Sequence, residues 1–205
     1  MRRHELGCND HALLAELSAD CEVGYLALAT PDGPRAVALD FALVDDAIWF
    51  HGALAGEKFE ALAAGARVGF TMARPYSFIP STWSAPEHAC PATHFFKSVE
   101  VRGTCAPVSS ADEKAVGLQA LMEKYQPEGG FRPLSADLPM YRGALKGVGV
   151  FRLEITSWTG KLKFGANEPA KLRHIWVTKL RERGQPLDLL TAVEIEKTLD
   201  EDQAP

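Results

Sequence analysis

Residues 47–62 read AIWFHGALAGEKFEAL, an apolar run that ends in a His-Gly turn and passes at once into a Lys-bearing helix start. Ile48, Trp49 and Phe50 are β-branched or aromatic and follow a turn signal at Val44 to Asp46, which predicts a strand stopping at Gly52. From Gly56 onward Phe59, Leu62 and Ala63 recur at helical spacing and Gly65 supplies a stop, so 55–64 is expected to be a short helix. The first turn of a helix has unpaired N–H groups and a partial positive charge, and Lys58 adds a full charge beside them. Together they favour a phosphate. A nucleotide-hydrolase P-loop also sets glycines and a lysine around such a turn. Here Gly52, Gly56, Glu57, Lys58 and Phe59 lack the Gly-Lys-Ser/Thr run, and no hydroxyl stands where Mg²⁺ would need one. On this stretch alone a solvated Lys58 and a plain turn at Gly52 stay open as the alternative.

Upstream, Val23 to Thr30 and Arg35 to Val44 are apolar runs around Pro31-Asp32-Gly33-Pro34, and predict an antiparallel hairpin. Asn9 or Asp10 can cap a helix whose Leu13, Leu14 and Leu17 make a one-sided stripe ending near Asp20, a lid over the core. Downstream, Arg67 to Met72 reads as a strand, and 74–91, with Pro75, Pro80, Pro86 and Pro91, as a long ordered loop. Strand character resumes from Thr93 to Val108, where Phe96, Ser98, Glu100 and Arg102 alternate against Val99, Val101 and Gly103. Ser110 to Glu113 is a capping box opening a helix with Val116, Leu118, Leu121, Met122 and Tyr125 as its apolar face. A loop from Gln126 to Pro139, a short helical piece near Met140 and a last core strand from Val148 to Trp158 follow. Beyond Gly165 the chain is charged, Leu187 to Leu199 has helical spacing, and Asp200 to Pro205 is expected to fray. A meander of about six antiparallel strands, punctuated by single helices and without βαβ alternation, predicts a mainly β, α+β fold: a small barrel with flanking helices.

With 205 residues and 46% hydrophobic content the chain can bury one sizeable core, which predicts one domain with a C-terminal appendage. A net charge of −5 argues against a nucleic-acid surface, which is usually basic along one face. Cys8, Cys21, Cys90 and Cys105 form no Cys-x-x-Cys pair and no secretory signal precedes them, so free thiols in a reducing cytoplasm are expected. No apolar run approaches the roughly 20 residues that span a bilayer, and no membrane partner is expected. His88, Cys90 and His94 have zinc-ligating side chains but lack a fourth ligand and paired-cysteine spacing, so no metal is assigned.

Four motifs carry a family resemblance: MRR at Met1 to Arg3, FHGALAGEK at Phe50 to Lys58, KSVEVRGTC at Lys97 to Cys105, and SWTGK at Ser157 to Lys161. In this order and on this strand pattern the chain resembles the FMN-binding split barrels related to pyridoxamine 5′-phosphate oxidase, in particular their nitroimidazole-resistance branch. The resemblance implies a split-barrel domain over 1–165, with 166–205 as a helical appendage packed on it. It also implies FMN in a cleft between the subunits of a homodimer. On matching positions, the backbone of Arg35, Val37, Ala38, Leu39 and Asp40 would edge the flavin, with Arg35 reaching the phosphate. Phe50, His51, Gly52 and Ala53 would approach the ring and ribityl chain, and Lys58 would bind phosphate. Ser98 and Val99 would lie near the ring, and Trp158 with Lys161 would come from the partner subunit. Two positions depart from the oxidases, Asp40 where they carry Lys and Glu57 where they carry Arg.

Taken without the resemblance, His51 is a partly buried histidine bonding a neighbouring backbone group, and Trp158 a core or interface aromatic. Ser98 has no Ser-His-Asp or Gly-x-Ser-x-Gly companion, so a hydrolase nucleophile is rejected. The expected function is an FMN-dependent oxidoreductase acting on a small molecule such as a nitro compound or quinone-like acceptor, with His51 the best catalytic candidate. Pyridoxamine-phosphate oxidation fits less well, because the family's substrate-binding Arg and His are not reproduced in Trp158-Thr-Gly-Lys-Leu-Lys163. A non-catalytic flavin- or haem-binding regulator, with His51 as a haem ligand, is the alternative.

Overall fold

The computed structural model describes residues 6–201, so the MRR motif and the tail beyond Glu201 lie outside the described residues. The order is β1 (Gly7–Cys8), α1 (His11–Asp20), β2 (Gly24–Thr30), β3 (Gly33–Leu39), β4 (Ala42–Val44), β5 (Ala47–Gly52), α2 (Glu57–Leu62) and β6 (Ala66–Ile79). A single 3-10 turn at Ser81–Trp83 leads to β7 (Thr93–Pro107), α3 (Ala111–Tyr125), α4 (Pro139–Gly147), β8 (Gly149–Lys163), α5 (Ala170–Arg183) and α6 (Asp188–Glu201). The sheet runs β3-β2-β6-β7-β8-β5-β4, with β1 beside β8, eight strands rather than the six expected. By residue contacts the chain forms two compact units: one of His11–Met72 and Val99–Thr159, the other of the segment ending at Asp10, Ala73–Ser98 and the segment from Gly160.

In the first unit the hairpin forms as its turn chemistry predicts, with Leu26 opposite Val37 and Thr30 opposite Gly33. The expected continuous strand from Arg35 to Val44 is instead broken at Asp40-Phe41, and β4 turns to pair with β5, Leu43 opposite Ile48. Side chains from the end of α3 account for the break. The Phe41 N–H donates to Tyr125 Oη at 2.9 Å, and the Phe41 carbonyl accepts from Lys124 Nζ at 2.9 Å, replacing ladder partners. Lys124 also donates to the Cys21 carbonyl at 2.8 Å and lies 3.6 Å from the Phe41 ring centroid, and burial lowers its pKa to about 8.

Ser110 caps α3 as predicted, its hydroxyl accepting from the Glu113 N–H at 3.4 Å. Leu121 is buried as expected, but Val116 is exposed, and Lys114, Ala115 and Gly117 are buried instead. Trp49 decides this, since a Cβ on Gly117 would stand 2.4 Å from the indole. Gly117 therefore lies over that ring, and Leu118 packs against the same cluster.

In the second unit β6 continues through Ile79 where a loop was expected, carrying Pro75 within it. The register to β2 ends at Thr71, so a proline beyond it removes no ladder bond on that side, and the Ser77 N–H is satisfied by Thr191 Oγ1 at 3.0 Å. Tyr76, Ile79, Phe95, Phe164, Trp176, Leu180 and Ile195 form the core here. α5 lies within the expected 166–205 helical appendage, ahead of the Leu187 to Leu199 stretch whose spacing marks a helix. Its buried stripe of Arg173, Trp176, Val177 and Leu180 has helical spacing but starts with an arginine, and the helix ends at Gly184 with φ 63°. No helix among the described residues is long and apolar enough to cross a membrane.

Candidate functional site

β5 ends the first unit's apolar ladder. Phe50 is fully buried and stacks on Phe151, ring centroids 5.1 Å apart and planes 11° apart. One residue on, the alternation of the strand turns His51 outward, and it is exposed. Gly56, at φ 93°, then lets the chain enter α2.

Lys58 does not project into solvent from the helix start. It reaches back to the end of β5, where Nζ donates to the His51 carbonyl at 3.4 Å and lies 5.5 Å from the centroids of both Phe50 and Phe151. The absent side chain of Gly52 makes room, since a Cβ there would stand 2.5 Å from that ammonium. Burial lowers the Lys58 pKa from its ordinary value. Beside it the buried Cys105 thiol is pushed up to about 12 by burial and is no nucleophile at neutral pH. An ammonium that has lost part of its hydration, with one long carbonyl contact in return, is a group that an anion would satisfy.

Arg35, on β3, joins the same cluster through Glu57, at 2.8 Å between guanidinium and carboxylate, both half-exposed. The helix position where the oxidases carry a second cation thus holds a carboxylate that already occupies Arg35. Arg35, His51, Gly52 and Lys58 are therefore brought together, with Glu57 as a competitor for the anion. Along β3, Val37 and Leu39 are half-buried and Ala38 and Asp40 exposed, and Ala53 is exposed just past β5. These residues fit a phosphate at Lys58 and Arg35 and a ring along exposed strand backbone. Phe50 and Val99 put their side chains in the core, leaving only their backbone to meet a ligand.

The remaining candidates are placed differently. Ser98 is buried next to Lys97, whose Nζ pairs with Glu194 at 3.1 Å in the second unit's interior. Trp158 is half-buried and meets His11 edge-on, centroids 5.5 Å apart. Lys161 stands an odd number of residues along the same strand, on the opposite face, with Nζ 5.2 Å from the Phe96 centroid. A cavity of about 780 Å³ in the second unit, with Lys161, Lys163 and Trp176 in its wall, had no sequence signal beyond the Lys-x-Lys pair.

An antiparallel sheet carrying single flanking helices in this order is a split barrel of the α+β class, and the solved structures it resembles share that fold. The chain belongs to the family described as Pyridoxamine 5′-phosphate oxidase, whose profile matches residues 10–162. Among solved structures it is similar to a protein of Bacteroides thetaiotaomicron assigned to 5-nitroimidazole antibiotic resistance, with a TM-score of 0.62 and 19% identity, covering 76% of this chain and 86% of that one. It is also similar to the flavocytochrome Anf3 of Azotobacter vinelandii, with a TM-score of 0.66, 19% identity and coverage of 80% and 72%. A FAD- and haem-binding protein of Mycobacterium smegmatis follows with 0.64, 20% identity and coverage of 76% and 72%. No curated protein matches the sequence.

Proposed function

We propose that this chain is an FMN-binding oxidoreductase working as a homodimer. Lys58 and Arg35 hold the phosphate, the backbone from Arg35 to Asp40 and the exposed end of β5 edge the ring, and the partner copy supplies its Trp158 segment. The observation that carries the reading is the Lys58 ammonium, drawn back over Phe50 and Phe151 with one 3.4 Å acceptor among the described residues. Family membership and a fold shared with proteins named for flavin support the cofactor class.

When bound, the flavin supplies the electron or hydride transfer. The chain's own residues bind and orient. Lys58 exchanges the His51 carbonyl for a phosphate oxygen, and an anion beside it holds its proton on against the burial that lowers its pKa. Arg35 turns from Glu57 toward the phosphate. His51, exposed at the end of β5, would donate a hydrogen bond or move a proton at its imidazole, and the substrates we propose are small acceptors such as nitro compounds or quinones.

The exposed imidazole of His51 and the haem in two neighbours' names favour one second reading, a flavin- or haem-binding regulator. An absorbance spectrum of the purified protein separates the flavin reading from the haem form of the second. Flavin bands, restored by added FMN after stripping, support the first reading; a Soret band alone supports the second. Failure to take up FMN overturns the first.

A further inference from the structure

We infer that a cavity of about 300 Å³ in the first unit, beside the start of α3 and the end of α4, binds a phosphate group, separately from any role of Lys58 and Arg35. Its wall holds three cations, Lys114, Arg142 and Lys146, and no carboxylate among the described residues. Asp112, Glu113 and Asp137, the acidic residues adjacent in sequence, do not line it. Two of the cations are set together by α4, since Arg142 and Lys146 are four residues apart and share one face of the helix. Both are exposed. Arg142 Nη2 makes one long donation, 3.4 Å to the Asp137 carbonyl, and Lys146 makes no hydrogen bond or ion pair among the described residues.

The third cation comes from α3 and is only 8% exposed. Lys114 Nζ donates to the Leu145 carbonyl at 3.0 Å and to the Val148 carbonyl at 2.9 Å, which closes the end of α4. Those bonds use two of its three N–H donors, and neither acceptor carries a formal charge. A buried ammonium with no carboxylate partner among the described residues is stabilised by an anion. α3 adds a further donor, because an α-helix leaves its first N–H groups without intrahelical acceptors, and Ala111, the first residue of this 15-residue helix, lines the cavity. Three positive charges and a helix start match a dianion better than a monocarboxylate. The volume, at the low end of small-molecule pockets, suits a phosphate on a short polar body. Along β5 the side chains alternate: Lys58 lies over Phe50, and Gly117 of α3 lies over Trp49, so α3 covers the opposite face of that strand from Lys58.

The test uses calorimetry on the full chain, with glycerol 3-phosphate and inorganic phosphate as probes, glycerate as a monoanionic control and glycerol as a neutral one. Both phosphates should bind more tightly than glycerate, glycerol should not bind, and the tighter of the two phosphates tells whether the site takes a monoester or the free ion. Arg142→Gln and Lys146→Gln change exposed side chains, and each should weaken phosphate about fivefold, the effect of one charge-assisted contact partly screened by solvent. The double variant should weaken it by about the product of the two, with an unchanged melting temperature. Lys114 is left intact because it also holds α4. Absence of phosphate binding, glycerate bound as tightly as phosphate, or unchanged affinity in the double variant would each overturn the site. Titration with FMN keeps this outcome apart from the flavin reading: neither Arg142 nor Lys146 is in the proposed flavin set, so FMN affinity of the double variant should equal that of the parent chain. A matching loss of FMN affinity would place the flavin's own phosphate in this cavity and overturn the separation.

Discussion

Replacing Lys58 by Met removes the charge while keeping an apolar stem over Phe50 and Phe151, so the change isolates the ammonium. In the free protein that ammonium has lost hydration and gained one 3.4 Å carbonyl contact, so its removal should not lower stability, and melting should be unchanged or slightly raised. In the FMN complex it would make a charge-assisted bond to a phosphate, worth about 1.5–3 kcal/mol. Because Lys58 is only half-buried, the low end applies, about tenfold in affinity. Riboflavin has the same ring without the phosphate, and its affinity should move less than about twofold. Glu57→Gln should act the opposite way, by freeing Arg35 and removing a like charge from the phosphate. Affinity for FMN should also fall as pH rises through the Lys58 pKa, which burial places below its ordinary value of 10.5. Flavin fluorescence titration reads all of these. Equal weakening of FMN and riboflavin in Lys58→Met would show that the charge faces something other than a phosphate.

Trp158→Leu keeps apolar bulk but removes the indole that meets His11, so emission of bound flavin should rise while sedimentation still shows a dimer; dissociation with unchanged emission per bound flavin would make Trp158 an interface residue only. Asp188 is buried, with its carboxylate held by Arg183 at 2.8 Å, by Ser77 Oγ and by the Gln185 N–H, and these hold its pKa down to about 2. A pKa below the unfolded value contributes stability above about pH 4 that disappears as pH falls through about 2, so Asp188→Asn should cost about 2 kcal/mol at pH 7. Urea unfolding at pH 7 and pH 2 should show that gap closing; a pH-independent gap would mean that packing, not ionisation, sets it.

Where the controlling residues are close in sequence, the chain was legible. The strand-turn-helix of 47–62 and the Ser110 cap each rest on local propensity, and both formed. The break between β3 and β4 depends on Lys124 and Tyr125, more than 80 residues away, and no local pattern announces it. β6 was cut short because Pro75 reads as a breaker until the register shows that β2 has already ended. Within the expected helical appendage, the bounds of α5 were not legible because Arg173 occupies its buried stripe, bonded to the Glu168 and Thr198 carbonyls rather than to solvent. Gly184 and the basic last turn at Arg181 and Arg183 are the signals that mark its end. For Lys58 the sequence suggested a charge at the helix start but not its direction, which depends on Gly52 leaving space and on the rings of β5 and β8 lying beneath it.

The departure of Glu57 from the oxidases' pattern has a physical limit. The Arg35–Glu57 pair is half-exposed on both sides, and such surface pairs contribute about 0–1 kcal/mol. Breaking it to release Arg35 is therefore cheap beside the bond Arg35 gains to a dianion. The greater effect would be the nearby carboxylate itself, which would repel a phosphate bound at Lys58 and Arg35. In the proposed FMN complex Lys58, whose half-buried charge no carboxylate neutralises among the described pairs, would contribute most of the phosphate discrimination, and Arg35 would contribute in proportion to how far Glu57 withdraws. That ordering makes Lys58 the residue on which the FMN-against-riboflavin difference turns.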